Sequence, residues 1–182
     1  MSEPKTKYAK LAVQAIKEYL YEGSTDELEI QIIPSESDSY RMQKQAACFV
    51  TLHKLDGSLR GCMGTLSPVR DNLYQEIIRN AIAAATRDYR FEKLKKKELN
   101  NIEISVSVLS EAVKVESIEE LDPQKYGVIV TDGGAQRGVL LPAIETIDTV
   151  ERQLEIVRKK ADLEHIPFEK LEIFKFETEV FY

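Results

Sequence analysis

A chain of 182 residues with 43% hydrophobic and 31% charged side chains carries enough apolar material for one core, which excludes global disorder. Its formal charge of −6 argues against a protein that works by generic phosphate attraction, because nucleic-acid binding draws on clustered Lys and Arg. No apolar run is long enough to span a membrane, and the polar stretch Met1 to Tyr21 does not read as a signal peptide. The two cysteines, Cys48 and Cys62, are too few for a disulfide framework, so the expected setting is cytoplasmic, with neither membrane nor nucleic acid as partner.

The spacing of Tyr8, Ala12, Ala15, Ile16, Tyr19 and Leu20 predicts an amphipathic helix over Lys5 to Tyr21, stopped at Gly23. Leu28, Ile30 and Ile32 alternate with polar residues as in a half-buried strand, and Ser35 to Gln45 reads as a long polar loop. Cys48 to His53 and Ser58 to Thr65 flank Asp56-Gly57, a two-residue hairpin signal. Ser67-Pro68 or Asp71 then opens a helix carrying Leu73, Ile77, Ala81, Ile82 and Ala85, which runs out near Asp88. A short helical piece over Glu92 to Leu99 makes Lys93 to Lys97 a solvated helix face.

Ile102, Ile104, Val106 and Val108 alternate with Glu103, Ser105 and Ser107, as in a strand with one wet face. Ser117-Ile118-Glu119-Glu120 has the form of a capping box. Gly127 to Thr131 and Arg137 to Leu141 make a second hairpin pattern around Asp132-Gly133-Gly134. Asp148 with Glu151 caps a helix whose Val150, Leu154, Val157 and Ala161 share a face, and Ile173 to Tyr182 reads as one final strand. Hairpins separated by helices, without regular βα alternation, predict an α+β fold with a largely antiparallel sheet flanked by helices.

A two-residue turn at Asp56-Gly57 sets a register on paper. It pairs Leu55 with Ser58, Lys54 with Leu59, His53 with Arg60, Leu52 with Gly61, Thr51 with Cys62, Val50 with Met63 and Phe49 with Gly64. One face is then core-like, with Val50, Leu52, Leu59 and Met63. The other gathers Thr51, His53, Arg60 and Cys62, while Cys48 falls on the core face. Two readings of Cys62 follow. It is a partly exposed thiol beside the Arg60 charge, with His53 diagonally across, or it is a small packing residue with Arg60 as an ordinary ion-pair partner. Gly61 and Gly64 mark a kink or a close backbone approach.

At Leu59-Arg60-Gly61-Cys62-Met63-Gly64-Thr65 the chain resembles the AMMECR-one domain family, called AmmeMemoRadiSam system protein A in prokaryotes. Phe49-Val50-Thr51-Leu52, Asp88-Tyr89-Arg90-Phe91, Ile104 to Leu109, Gly127 with its following strand, Leu140-Leu141-Pro142 and Phe176 to Phe181 match further landmarks, so the resemblance covers nearly the whole chain. Met63 stands where isoleucine is usual, a volume-conserving change. Ala143-Ile144 replaces the usual Gln-Val, which leaves any role of that glutamine without a counterpart. The resemblance implies a single domain over 1–182, with a smaller subdomain and a cleft. It also implies a prokaryotic setting with Memo-type and radical-SAM proteins as partners, and it brings no particular reaction.

The candidate site is therefore Cys62 as the reactive group, with Arg60, Gly61, Gly64, Thr65, Asp88 and Arg90 around a small ligand or peptide. Asp88 and Arg90 either line that cleft or form a pair that fixes the loop after the helix. Only His53 and His165 are present and no His-x-x-x-His or Cys-x-x-Cys spacing occurs, so no metal and no cofactor are expected. Gly133 to Gly138 is no phosphate loop, since Val139 follows where Lys would be needed. Two functions stand: an accessory or binding module, or a Cys-dependent enzyme using Cys62 as nucleophile or covalent carrier on a small anionic substrate.

Overall fold

The structure, a computed structural model, describes residues 4–23 and 36–182; the strand expected over Leu28 to Ile32 lies outside the described residues. Within them run α1 (Lys7–Glu22), α2 (Glu36–Gln43), β1 (Cys48–Lys54), β2 (Leu59–Gly64), α3 (Leu73–Thr86), β3 (Ile102–Leu109), β4 (Val113–Lys114), β5 (Gly127–Thr131), β6 (Arg137–Leu140), α4 (Val150–Lys160), β7 (Glu172–Phe176) and β8 (Thr178–Phe181). The strands form two antiparallel four-stranded sheets, ordered β2-β1-β3-β8 and β4-β7-β5-β6. The α+β class with antiparallel pairing is as the sequence predicts. Met1–Val108 with Glu179–Tyr182 make up one unit, and Leu109–Thr178 the other.

In the first unit, α1 starts where the Thr6 hydroxyl accepts from the Ala9 amide and ends at Gly23 with φ 77°, a left-handed cap that glycine takes without cost. Its buried stripe, Leu11, Ala12, Ala15 and Ile16, joins a core with Val50 and Leu52 of β1 and Leu73, Ile77 and Ala81 of α3. Residues 36–43 are helical, where the sequence predicts a loop. Helix propensity is poor there, so tertiary anchors decide: Met42 is buried, and Arg41 pairs with Glu179 at 2.6 Å. Arg41 also sits over the Phe181 ring, which stacks on Tyr8 with centroids 4.0 Å apart. These contacts hold the C-terminal strand in the sheet.

Helix α3 is capped by Asn72, whose side chain accepts from Gln75 N, and not by Ser67 or Asp71. The expected helix over Glu92 to Leu99 is a 3-10 turn at Lys96–Asn101 instead. Its start is delayed because the Lys95 amide is taken by the Glu98 carboxylate at 2.8 Å. Ser105, expected on a wet face of β3, is buried opposite Thr51. Alternation reports polarity and not coverage, and a hydroxyl is small enough to be covered.

The run Ile173 to Tyr182 is two strands that serve different sheets. The break falls at Glu177, whose backbone exchanges hydrogen bonds with Ser110: Ser110 N to Glu177 O, and Glu177 N to Ser110 Oγ, both 2.9 Å. A glutamate in a β-rich run fits the alternation, so composition alone shows no break.

The second unit packs α4 on β5 and β6, with Val128, Val130, Leu140, Leu154, Val157 and Leu163 at its core. The cap of α4 is Thr149, which accepts from Arg152 N at 3.2 Å, one residue beyond the expected Asp148. Contact between helix and sheet is set by Gly138 of β6, where a Cβ would stand 2.3 Å from the Val157 carbonyl oxygen. Substituting Gly138→Ala forces backbone apart and is expected to cost about 2–3 kcal/mol in urea unfolding. Gly134→Ala, whose Cβ would meet only the flexible Asp132 carboxylate at 3.3 Å, should stay within about 0.5 kcal/mol of the parent.

Candidate functional site

The hairpin β1–β2 departs from the expected turn and then recovers. Lys54 N donates to Ser58 O at 2.8 Å and Gly57 N to Lys54 O at 2.9 Å, so the loop has three residues, Leu55-Asp56-Gly57. Gly57 takes φ 83° and Asp56 Oδ1 accepts from both Ser58 N and Ser58 Oγ, the chemistry of a turn followed by a bulge. The expected pairs Leu55–Ser58, Lys54–Leu59 and His53–Arg60 are therefore wrong: Lys54 bonds Ser58, and His53 faces Leu59. A second irregularity, between Leu52 and His53, inserts Arg60 as an unpaired residue and restores the count. From there Leu52–Gly61, Thr51–Cys62, Val50–Met63 and Phe49–Gly64 pair as predicted.

Arg60 is buried at 7% exposure. Its guanidinium forks onto Glu98, Nε to Oε1 at 2.8 Å and Nη2 to Oε2 at 3.1 Å, and this pair holds the Glu98 carboxyl below its ordinary range. Gly61 has no room for a side chain, since a Cβ would lie 2.3 Å from the Ala84 carbonyl oxygen of α3. The second glycine, Gly64, is covered by the Phe49 ring.

Cys62 is half-buried, and its Sγ lies 3.3 Å from Thr51 Oγ1. Its amide donates to Asp88 Oδ2 at 2.8 Å. An antiparallel strand residue points its N–H either to its partner or away from it, so this bond shows that the Cys62 amide faces outward from edge strand β2. Asp88 is buried at 5% exposure, just past the end of α3. It also accepts from Arg90: N to Oδ1 at 3.1 Å, Nε to Oδ1 at 2.9 Å and Nη2 to Oδ2 at 2.7 Å.

The Arg90 guanidinium first, then the Cys62 and Arg90 amides, overcome the desolvation of Asp88 and hold its carboxyl down at about 2. Arg90 is raised in turn, chiefly by Asp88, with smaller electrostatic contributions from Cys62 and Tyr89. Both guanidiniums address one ring: Arg60 Cζ is 6.0 Å and Arg90 Cζ 5.6 Å from the centroid of Phe91. Asp88 and Arg90 thus both fix the loop and stand at the motif, where the sequence left these as alternatives. Cys48, by contrast, is pushed up to about 12 by burial.

Two residues that sequence reasoning missed hold the end of the motif. Glu76 is fully buried and accepts from Thr65 Oγ1 at 2.5 Å and from the amides of Val69 and Arg70, both at 2.9 Å. Asn80, buried one turn on, donates to Cys48 O at 3.0 Å and to Glu76 Oε1 at 3.4 Å. Their signal was in the pattern. They occupy the same helical stripe as Leu73, Ile77, Ala81 and Ala84, and polar residues on a core stripe call for fixed partners. Among the described residues, no three His, Cys, Asp or Glu side chains gather so as to hold a metal ion.

The AMMECR1 family model matches residues 9–181. A Thermotoga maritima protein is 46% identical over 172 residues, which is 94% of this chain and 95% of that one. A Clostridium acetobutylicum protein is likewise 46% identical over 162 residues, 89% of this chain but only 33% of its own length. The crystal structure of an uncharacterized Pyrococcus horikoshii protein superimposes with a TM-score of 0.78 at 28% identity, covering 95% of this chain and 88% of that one. The chain belongs to the AMMECR1 family.

In this AMMECR1 chain Leu59–Gly64 is an edge strand held on its inner side by Gly61 against α3, and on its outer side by Asp88. The Asp88 carboxyl is lower in the folded protein than its unfolded value of about 3.9, so it stabilises the fold above about pH 4. That contribution is lost as pH falls from about 4 through about 2. With allowance for the partly exposed Arg90, it is on the order of 1–2 kcal/mol. Asp88→Asn should therefore be less stable at neutral pH and lose correspondingly less stability than the parent between about pH 4 and 2, as read by denaturant midpoints.

Proposed function

We propose that this chain is a binding or accessory module in the cytoplasm, working with Memo-type and radical-SAM proteins, and that the face around Cys62 and Arg90 receives a peptide or small ligand. The observation that carries this reading is how the charged groups of that face are spent. Arg60 is consumed by Glu98, and one edge of Arg90 by Asp88. The thiol has Thr51 as its hydrogen-bond neighbour, and His53 faces Leu59 on β2 and Glu103 on β3. A nucleophile needs a base in reach, and this arrangement offers an anchored surface in its place.

What the face does offer is recognition. The Arg90 side chain is 45% exposed and donates to Asp88 through Nε and Nη2, so Nη1 is left for an anionic or carbonyl group. The thiol beside it adds a small polarizable contact. The ring of Phe91 and the Asp88 carboxylate hold that guanidinium in place before any ligand arrives, which lowers the ordering cost of binding.

Co-expression with a Memo-type and a radical-SAM protein from one genome, followed by size-exclusion chromatography, tests the reading. A complex that persists at about micromolar protein, and survives Cys62→Ser, is expected. No co-elution of either partner at about 100 μM would overturn it. Loss of the complex on Cys62→Ser alone would instead point to covalent chemistry at the thiol.

A further inference from the structure

We propose that Arg87–Lys97, which runs directly out of the Cys62 site, is the surface on which an acidic polypeptide segment of the partner docks. The proposal rests on the reading of the chain as a binding module and names the chemistry of what it binds. The segment holds six cations, Arg87, Arg90, Lys93, Lys95, Lys96 and Lys97, against Asp88 and Glu92. It is therefore +4 in a chain of −6, and the remainder of the molecule carries −10. So strong a local reversal of sign is a directional field, and at physiological salt a partner senses the charges within about 8 Å more than the distant ones.

The structure removes the bland account of these lysines. Were the segment an amphipathic helix, its cations would be an ordinary solvated face. It is instead a turn over Arg87 to Phe91 followed by non-helical chain up to Lys95, and it is pinned at three points. Phe91 N donates to Asp88 O at 3.1 Å, Leu94 N to Ala85 O at 2.7 Å, and Lys95 N to Glu98 Oε2 at 2.8 Å. With Leu94 buried as an inward anchor, the cations on either side are held at the surface on a fixed backbone.

The segment's own carboxylates are engaged, Asp88 by Arg90 and Cys62, and Glu92 by Lys95 at 3.2 Å. Among the described residues, no carboxylate lies within ion-pair distance of Arg87, Lys93 or Lys97. In their midst Tyr89 is 95% exposed, the most solvent-facing of the large hydrophobic side chains among the described residues. An exposed tyrosine among cations of which Arg87, Lys93 and Lys97 have no carboxylate partner among those residues, on a pinned backbone, is the composition of an interface anchor. A long nucleic acid meets the same patch but also the −10 of the remainder, which repels an extended polyanion; a short acidic peptide meets the patch alone.

A short fluorescein-labelled peptide of alternating Glu and Gly, followed by fluorescence anisotropy, tests this with the full chain. Binding is expected at low salt, with Kd on the order of 10–100 μM, and it should weaken at least about tenfold at high salt. Lys93→Glu with Lys97→Glu takes the segment to zero net charge at exposed positions and should abolish the binding, whereas Cys62→Ser should not change it. A matching Lys-Gly peptide should not bind. Equal binding by parent and double variant, no binding of the acidic peptide at low salt, or tighter binding of a single-stranded oligothymidylate would each overturn the proposal. Partner proteins that co-elute equally with the parent and the double variant would also overturn it, while leaving the binding-module reading intact.

Discussion

One buried carboxylate does most to make a site of the motif. Strand β2 is an edge, and an edge strand presents backbone donors and acceptors with no partner of their own. Asp88 meets the outward amide of Cys62 and at the same time fixes the Arg90 guanidinium by two of its nitrogens. Burying an ionised group is costly unless it is fully engaged, and here four donors from two residues satisfy it. The consequence is that a thiol, a guanidinium and a backbone edge are held as one body. The second sheet closes its own edge strand β6 in a related way, with Lys160 Nζ donating to Val139 O at 2.9 Å.

Around that carboxylate the polar groups form two separate chains of contact. On one side Arg60, displaced inward by the bulge, joins Glu98 and the Phe91 ring. On the other, Glu76 collects Thr65, Val69 and Arg70, and so fixes the path of the chain as it leaves the motif. The strand between them has little freedom to move, because Gly61 sits against the α3 backbone and the Phe49 ring covers Gly64. Rigidity of this kind suits recognition, which gains when a surface is ordered before its ligand arrives.

Much of this was legible in the residues. Periodicity placed α1, α3, α4 and both hairpins, and the Thr51–Cys62 pairing was reached from the turn signal. That last agreement came from two deviations that cancel: the loop has one residue more than expected and the bulge restores the count, so only the pairs between them, those of Leu55, Lys54 and His53, changed. Arg60 could not be placed correctly without the bulge. Nor could the split at Glu177 be read, because leaving one sheet for another changes tertiary pairing and not composition. Helix α2 lies against local propensity and depends on Met42 and Arg41 finding distant partners. Glu76 and Asn80 were readable in principle, as polar residues on an apolar stripe; their partners were not, since these come from β1 and from the segment after β2.

The bond from the Cys62 amide to Asp88 is what joins the edge strand to the Arg90 loop. Residue-resolved hydrogen exchange reads it directly, because that amide faces away from the sheet while the neighbouring Met63 amide belongs to the ladder with Val50. In the parent protein both amides should be protected. In Asp88→Ala the Cys62 amide should lose at least about tenfold in protection under conditions where Met63 keeps its own. A Cys62 amide that exchanges as slowly in Asp88→Ala as in the parent would contradict the claim that this carboxylate closes the edge and holds the site.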